Sequence, residues 1–552
     1  MESFKIKGWF ADFDSQEFYF GEMAIGEGKV ISIRESGKKR LTWEDRHLAS
    51  AVILPGLVDA HVHIESSMLM PSRFARQAVR FGTVATVSDP HEIANVLGLA
   101  GIDLMLKDAE KACIKINFTA PSCVPATSLE TAGAVLKADN LEALFSENKV
   151  VALGEMMNYP GVLFSDAEVL EKIKLAKRYN KPVDGHAPGL TGASLDTYIG
   201  AGIQTDHECS TLEEAEEKIG KGMKVLIREG SSARNFEQLY PLIDKYPGMV
   251  MLCSDDYHPD DLMYAHLDRL IRRGVEKGVN FFNLYRSASR NPVEHYLLKT
   301  GLLRPGDPAD FIVAGGLDPF EVLATYIDGK PVFRNGKVEA ELPAVEVKNV
   351  FNAFPVEPSD LEVPGKSGNY KVIRVWDGEL LTGSEVAYLE DIKGVIYPDR
   401  TRDILKIVVL NRYTQAKPAI GWIAGFGLKH GALASSIAHD SHNIIAVGTS
   451  DALLARAINE IIQNKGGIAA TNGEKSNTLA LPVAGLMSTD EAAEVGWQYS
   501  ALTESARGMG SKLKAPFMAL SFMALLVIPH LKIGDRGLFD CDTFGFTDLK
   551  AD

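Results

Sequence analysis

At 552 residues and 60.1 kDa the chain exceeds one ordinary domain, and 46% hydrophobic residues beside 24% charged ones exclude disorder and supply a large core. A net charge of −15 with a pI near 5.4, and no concentrated run of Lys or Arg, argues against nucleic acid and towards a small-molecule partner. The five cysteines (Cys113, Cys123, Cys209, Cys253 and Cys541) are too few and too scattered for a disulfide framework or a CxxC metal site, and predict reduced thiols in a cytoplasmic protein.

The N-terminal stretch MESFKIKGWF lacks the apolar core of a secretory signal. Residues 1 to 55 alternate short β-type runs with glycine turns, which predicts strands of a small sheet. From Leu54 the rhythm changes, and apolar runs bounded by turn residues alternate with helical stretches. GLVDAHVH is followed by a helix over Pro71 to Phe81, TVATVSDP by a helix over Asn95 to Ala112, and then come INFTAPS, VVALGEM, PVDGHAP, IQTDHEC, KVLIREGS and MVMLCSDD. Eight strands with helices between them predict a parallel sheet closed into a (β/α)8 TIM-type barrel over residues 56–304. The text returns to β-type at DPADFIVAGG and YIDGKPVFRNGKV, so residues 305–345 are expected to complete a small flanking β-sandwich with 1–55. Residues 346–552 form a further α+β unit, with a helix from Asp451 capped by Ser450 or Asp451 and stopped at Gly466. The greasiest run, Phe517 to Ile528, lies between Pro516 and Pro529 and falls short of the roughly 20 residues a bilayer span needs, so a buried element is expected and no membrane partner.

In a barrel, active-site groups gather at the carboxyl ends of the strands. Strand one ends in Asp59-Ala60-His61-Val62-His63, and a period of two turns His61 and His63 to the same side. Strand four ends at Glu155, strand five at His186, strand six at His207 and strand eight at Asp255, while strand seven ends with Arg228 and Glu229. Each taken alone has a plain structural reading: a loop histidine, a solvated carboxylate, or for Asp255 and Asp256 a helix cap. Six ligand-type residues at five strand ends together predict a metal centre.

PGLVDAHVHIE and DPADFIVAGG resemble the first-strand motif and the sheet re-entry of the amidohydrolase superfamily. SDPHEIANVLG, GEMMNYPGV, DGHAPGL, CSDDYHP and the late segment GLKHGALASSIAHDSHNIIAVG are similar to the adenine deaminase family within it, over nearly the whole chain. The resemblance implies a hydrolase of purine salvage that converts adenine and water into hypoxanthine and ammonia with a metal-bridging hydroxide. It implies two divalent ions, Mn(II) or Fe(II) before Zn, with His61, His63 and Asp255 on one, His186 and His207 on the other, and Glu155 between them. Many superfamily members carry a carboxylated lysine at the bridge, whereas the strand here reads Gly154-Glu155-Met156. His and carboxylate ligands suit Mn, Fe or Zn by type.

Such a reaction needs a group to take the water proton and return it to N1 or the leaving nitrogen, and Asp255 is the expected shuttle. Glu229 is the expected second catalytic group, with an ion pair to Arg228 as the alternative. Asp256, His91, Glu92 and Arg228 are candidates for binding the purine. His439, Asp440 and His442 read either as a further metal site or as a polar strand edge. A cyclic amide hydrolase of the dihydroorotase or hydantoinase type would use the same metal pair, and a homodimer is expected.

Overall fold

The computed structural model describes residues 3–231 and 233–551. Eight short parallel strands lie where the apolar runs predict them: Leu57–Val62, Thr83–Ser88, Lys115–Ala120, Val150–Met156, Val183–Gly185, Thr205–Asp206, Lys224–Arg228 and Val250–Cys253. The first five pair in order as one sheet and the last three as another. Two seams join these sheets into a ring. Gln204 N donates to Val183 O (2.9 Å) between strands five and six, and Asp255 N donates to His61 O (3.0 Å) between strands eight and one. The strands are buried on both faces, so they read as continuous apolar runs. Val62 faces outward into the cluster holding Phe74 and Ala75, and this parity sends His61 and His63 the other way.

The helix expected over Asn95 to Ala112 is two helices, His91–Leu97 and Leu99–Ala109. They break at Gly98, whose φ of 60° and ψ of −142° belong to the region only glycine enters readily. His91 therefore opens the first of them, at the mouth of the barrel.

The N-terminal strands and those after the barrel share a single eight-stranded mixed sheet where a sandwich was expected. Val52–Pro55 pairs in parallel with Phe4–Asp12 and antiparallel with Phe311–Leu317, stitching the two segments together. The sheet contributes to two cores. Phe18, Leu54 and Phe320 pack with the barrel helix Phe281–Ser287, and Phe10, Met23, Val30 and Phe311 form a small core of their own.

The C-terminal part is built on a second eight-stranded sheet, antiparallel apart from the pairing of Ile373 and Arg374 with Ile423 and Ala424. The helix Asp451–Gln463 lies on it through Leu454, Ala457, Ile458 and Ile461, and Ser450 caps it by accepting from Leu453 N. Phe517 to Leu526 is a buried short helix and turn packed in the largest core cluster, and no helix among the described residues is long and apolar enough to cross a membrane. The loop 437–443 runs along the barrel mouth, where Asn443 Nδ2 donates to Thr131 O (2.9 Å).

Candidate metal centre

Asp59, His61 and His63 occupy alternate positions of the first strand end. Asp59 is not a ligand-facing group. Its carboxylate accepts from Ser254 N (3.0 Å) and lies 3.1 Å from His266 Nε2, which ties strand one to strand eight. That tie brings Asp255 over His61 and His63, with Oδ1 3.5 Å from both Nε2 atoms. Asp255 sits at φ 56°, a left-handed conformation that Asp tolerates better than most residues and that re-aims its carboxylate into the barrel. His61 Nε2 and His63 Nε2 are 3.1 Å apart, and His63 Nδ1 points at Asp89 O (3.1 Å). That carbonyl holds the proton on Nδ1 and leaves Nε2 a lone pair for a cation.

Glu155 divides its two oxygens between two groups of histidines. Oε1 lies 3.2 Å from His63 Nε2, while Oε2 lies 2.7 Å from His186 Nδ1 and 3.1 Å from His207 Nε2. The preceding glycine makes this possible. A Cβ on Gly154 would stand 2.2 Å from Asp89 Oδ2, the oxygen that accepts from Glu155 N at 3.0 Å. The ring of His61 stacks on that of His207 with centroids 4.3 Å apart. All six residues expected as ligands thus converge, and every one but His186 is fully buried.

The charges in this cage are poised for cations. Burial pushes the Glu155 carboxyl up, but the charge of His186 and hydrogen bonds from His186, His207 and His63 outweigh it and hold the group well below the usual range. Burial also raises Asp255, and the Arg228 guanidinium, followed by His61 and His63, brings it well below. Against burial, the carboxylates raise His63 far above its ordinary value and His186 to about 9. Four imidazoles and two carboxylates aimed at a common space, one of them locked in the ligand tautomer, fit divalent metal ions.

The remaining expected residues fall into two groups. Arg228 donates through Nη1 to Asp255 Oδ2 (2.7 Å) and through Nη2 to Glu208 Oε2 (2.8 Å), so its partner is Glu208 and not Glu229. Asp256 receives a hydrogen bond from Ser66 Oγ (2.5 Å) beside the cage. His91 presents Nδ1 to Glu155 Oε1 at 3.5 Å. Glu229 is not brought into the cage. It follows Arg228 by one residue, so the strand period sends it to the helix side, where its carboxylate meets Arg273. Glu92 faces His439 and His442 of the C-terminal domain. Sequence reasoning missed Glu208, Asp89 and His266. Glu208 directly follows His207, and a search for carboxylates flanking the candidate ligands would have found it.

Known protein families match most of the chain. Residues 52–332 match the amidohydrolase family, and residues 379–545 match the adenine deaminase C-terminal domain. The chain is 52% identical to an adenine deaminase of Methanosarcina mazei, covering 99% of this chain and 100% of that protein. It is 53% identical to one of Methanosarcina acetivorans (99% and 100%) and 48% identical to one of Salinibacter ruber (100% and 99%). The chain belongs to the adenine deaminase family of amidohydrolases. The family model for the C-terminal domain covers the loop that carries His439, Asp440 and His442 to the barrel mouth.

Proposed function

We propose that this amidohydrolase removes the 6-amino group of adenine, consuming water and releasing hypoxanthine and ammonia. The observation that carries the reading is end-to-end identity of about half with proteins named adenine deaminase, and a cage of four imidazoles and two carboxylates supports it. His61, His63 and Asp255 would hold one ion, His186 and His207 the other, and Glu155 would span them with its two oxygens. Mn(II) or Fe(II) is proposed before Zn. When bound, such ions lower the pKa of water from 15.7 towards about 7 and so supply a nucleophile near neutral pH.

The protein's own groups then handle protons. Asp255 is held by Arg228 on its outer oxygen, which leaves the inner oxygen to accept the water proton and return it to ring N1 or to the departing nitrogen. Arg228 is in turn clamped by Glu208, so this carboxylate has one orientation. Burial, then the neighbouring charge of Asp255, raises the Asp256 carboxyl, which suits it to offer a proton to a purine nitrogen. His91 borders the same space. Glu229, paired with Arg273, is given no part in this proton path.

The cyclic amide hydrolase reading loses support because the proposed bridge is Glu155 and the C-terminal domain matches an adenine deaminase model. The test is ammonia release from adenine, adenosine and dihydroorotate by metal-free protein reloaded with Mn(II) or Fe(II). Turnover of adenine is expected, abolished by chelation. Turnover of dihydroorotate without adenine, or undiminished adenine turnover in verified metal-free protein, overturns the proposal.

A further inference from the structure

A second group of ligand-type side chains lies beside the metal cage and belongs to neither set of three. Glu92, from the barrel, meets three residues of one C-terminal loop. Its Oε1 is 2.7 Å from His439 Nδ1, its Oε2 touches His442 Nε2, and Asp440 Oδ1 lies 3.6 Å from His439 Nδ1. His91 Nε2 is 3.4 Å from Glu92 Oε1, and the donor atoms of His91, Glu92 and Asp440 cluster tightly enough to share one ion.

All five residues are at most 5% exposed, yet His442 Nδ1 and Asp440 Oδ2 have no hydrogen-bond partner. Buried polar atoms left without partners are rare in folded proteins. Among the described residues, no lysine or arginine pairs with Glu92 or Asp440, so two buried carboxylates face only imidazoles. The site is also built rather than incidental. The ring of Phe522 stacks on His439 with centroids 4.8 Å apart and planes 14° apart. His442 N donates to Ala438 O (2.7 Å), and Tyr413 Oη donates to Ser441 O (2.5 Å). The ligand-bearing loop is thereby held in one shape against the barrel.

We propose that Glu92, His439, Asp440 and His442, with His91 at the border, bind a further divalent transition-metal ion at the seam between the barrel and the C-terminal domain. Three imidazoles and two carboxylates suit Mn(II), Fe(II) or Zn(II) by ligand type. A cation there gives the buried Asp440 and Glu92 oxygens a positive partner and balances two carboxylates, which a water molecule cannot do. It also joins the two halves of the molecule through their own side chains, and His91, with one ring nitrogen facing each group, separates this ion from the pair on Glu155. This gives the C-terminal domain a direct part in the architecture of the barrel mouth.

The inference uses ligands separate from those of the proposed deamination, and its test reads metal rather than turnover. Metal-free full-length protein is titrated with Mn(II), the bound metal per chain is counted, and anomalous scattering at the manganese edge is recorded from crystals of the same preparation. Three ions per chain are expected, with one anomalous peak between Glu92 and His442. In His442→Gln and Asp440→Asn the count should fall to two while the two peaks flanking Glu155 persist. Saturation at two ions in the wild type, with water or no density beside Glu92, overturns the inference, as does a third ion retained by both variants. The wild-type map decides the matter even where a variant fails to fold. Adenine turnover assayed on the same wild-type sample separates the two readings, since two ions with turnover defeats only this site, and three ions without turnover defeats only the deaminase.

Discussion

Two buried charge clusters stand next to each other on the sixth strand, and they are built in opposite ways. Asp206 and His207 are neighbours in sequence. Asp206 turns to Lys218, whose Nζ donates to Asp206 Oδ2 (3.0 Å), Glu214 Oε1 (2.7 Å) and Ala187 O (2.7 Å). Every donor on that ammonium is used, and Asp206 Oδ1 also accepts from Ala187 N (2.8 Å), which holds the loop just after His186. His207 turns instead into the cage, where imidazoles and carboxylates face one another with no lysine among them. A cluster whose carboxylates are all answered by one lysine is scaffolding, whereas one in which several imidazoles and carboxylates converge on a common point has the donor set for a cation from outside. By the same measure, the seam at Glu92 resembles the cage and not the scaffold.

The sharpest way to break this contrast is at Glu155. Changing it to Gln removes the negative charge between two cation positions, so at least one ion should be lost and adenine turnover should fall to background. Metal content per chain, measured with activity, checks it. Because Glu155 carries its carboxylate without prior capture of carbon dioxide, reloading should also be indifferent to bicarbonate. Two tightly held ions and normal turnover in the Gln variant would show that Glu155 does not bridge.

Asp255→Asn comes next. It retains the shape and one oxygen but removes the proton carrier, and kcat is expected to drop about 10²–10⁴-fold. A variant keeping most of its kcat would transfer the proton role, with Asp256 the next group to examine.

The scaffold cluster should respond in stability rather than chemistry. Lys218→Met strands two buried carboxylates, and breaking a buried pair typically costs about 3–5 kcal/mol. Denaturant unfolding of the metal-free protein reads this directly. A loss below about 1 kcal/mol would place the pair among weak, surface-like ion pairs.

The smallest expected effect is an acid limb of the stability curve. Burial pushes Asp206 up, but the charges of Lys218 and His207 prevail and hold it at about 2 against an ordinary 3.8. A carboxyl lowered on folding contributes stability above its unfolded pKa and loses it as pH falls towards the folded one. The contribution should therefore be intact above about pH 4 and disappear between about pH 4 and pH 2. Unfolding of wild type and Asp206→Asn across that range should converge at the acid end, and parallel curves would assign the charge elsewhere.

How much of the centre was legible depends on where its residues sit along the chain. His61 and His63 were readable because a period of two places them on one side of a strand whose intervening Val62 is apolar. Glu155, His186, His207 and Asp255 were readable because each ends an apolar run in a series of eight. Glu229 satisfied the same rule and yet lies outside the cage, since Arg228 takes the inward position on strand seven and its neighbour must face the helices. The break at Gly98 was hidden because the helical apolar pattern continues on both sides of a single glycine. The single flanking sheet was hidden because pairing between Val52–Pro55 and Phe311–Leu317 joins segments far apart in sequence.

The amino-acid order by itself determined the strand–helix alternation and the strand-end positions of His61, His63, Glu155, His186, His207 and Asp255, because these follow from local periodicity and residue chemistry. Only the tertiary structure decided which oxygen of Glu155 faces which histidine, that Arg228 holds Asp255 while Glu208 holds Arg228, and that Glu92 meets His439, Asp440 and His442 across two domains. Those arrangements join side chains on different strands, and for Glu92 and His439 on different domains, at distances set by packing and seam hydrogen bonds that no local pattern encodes.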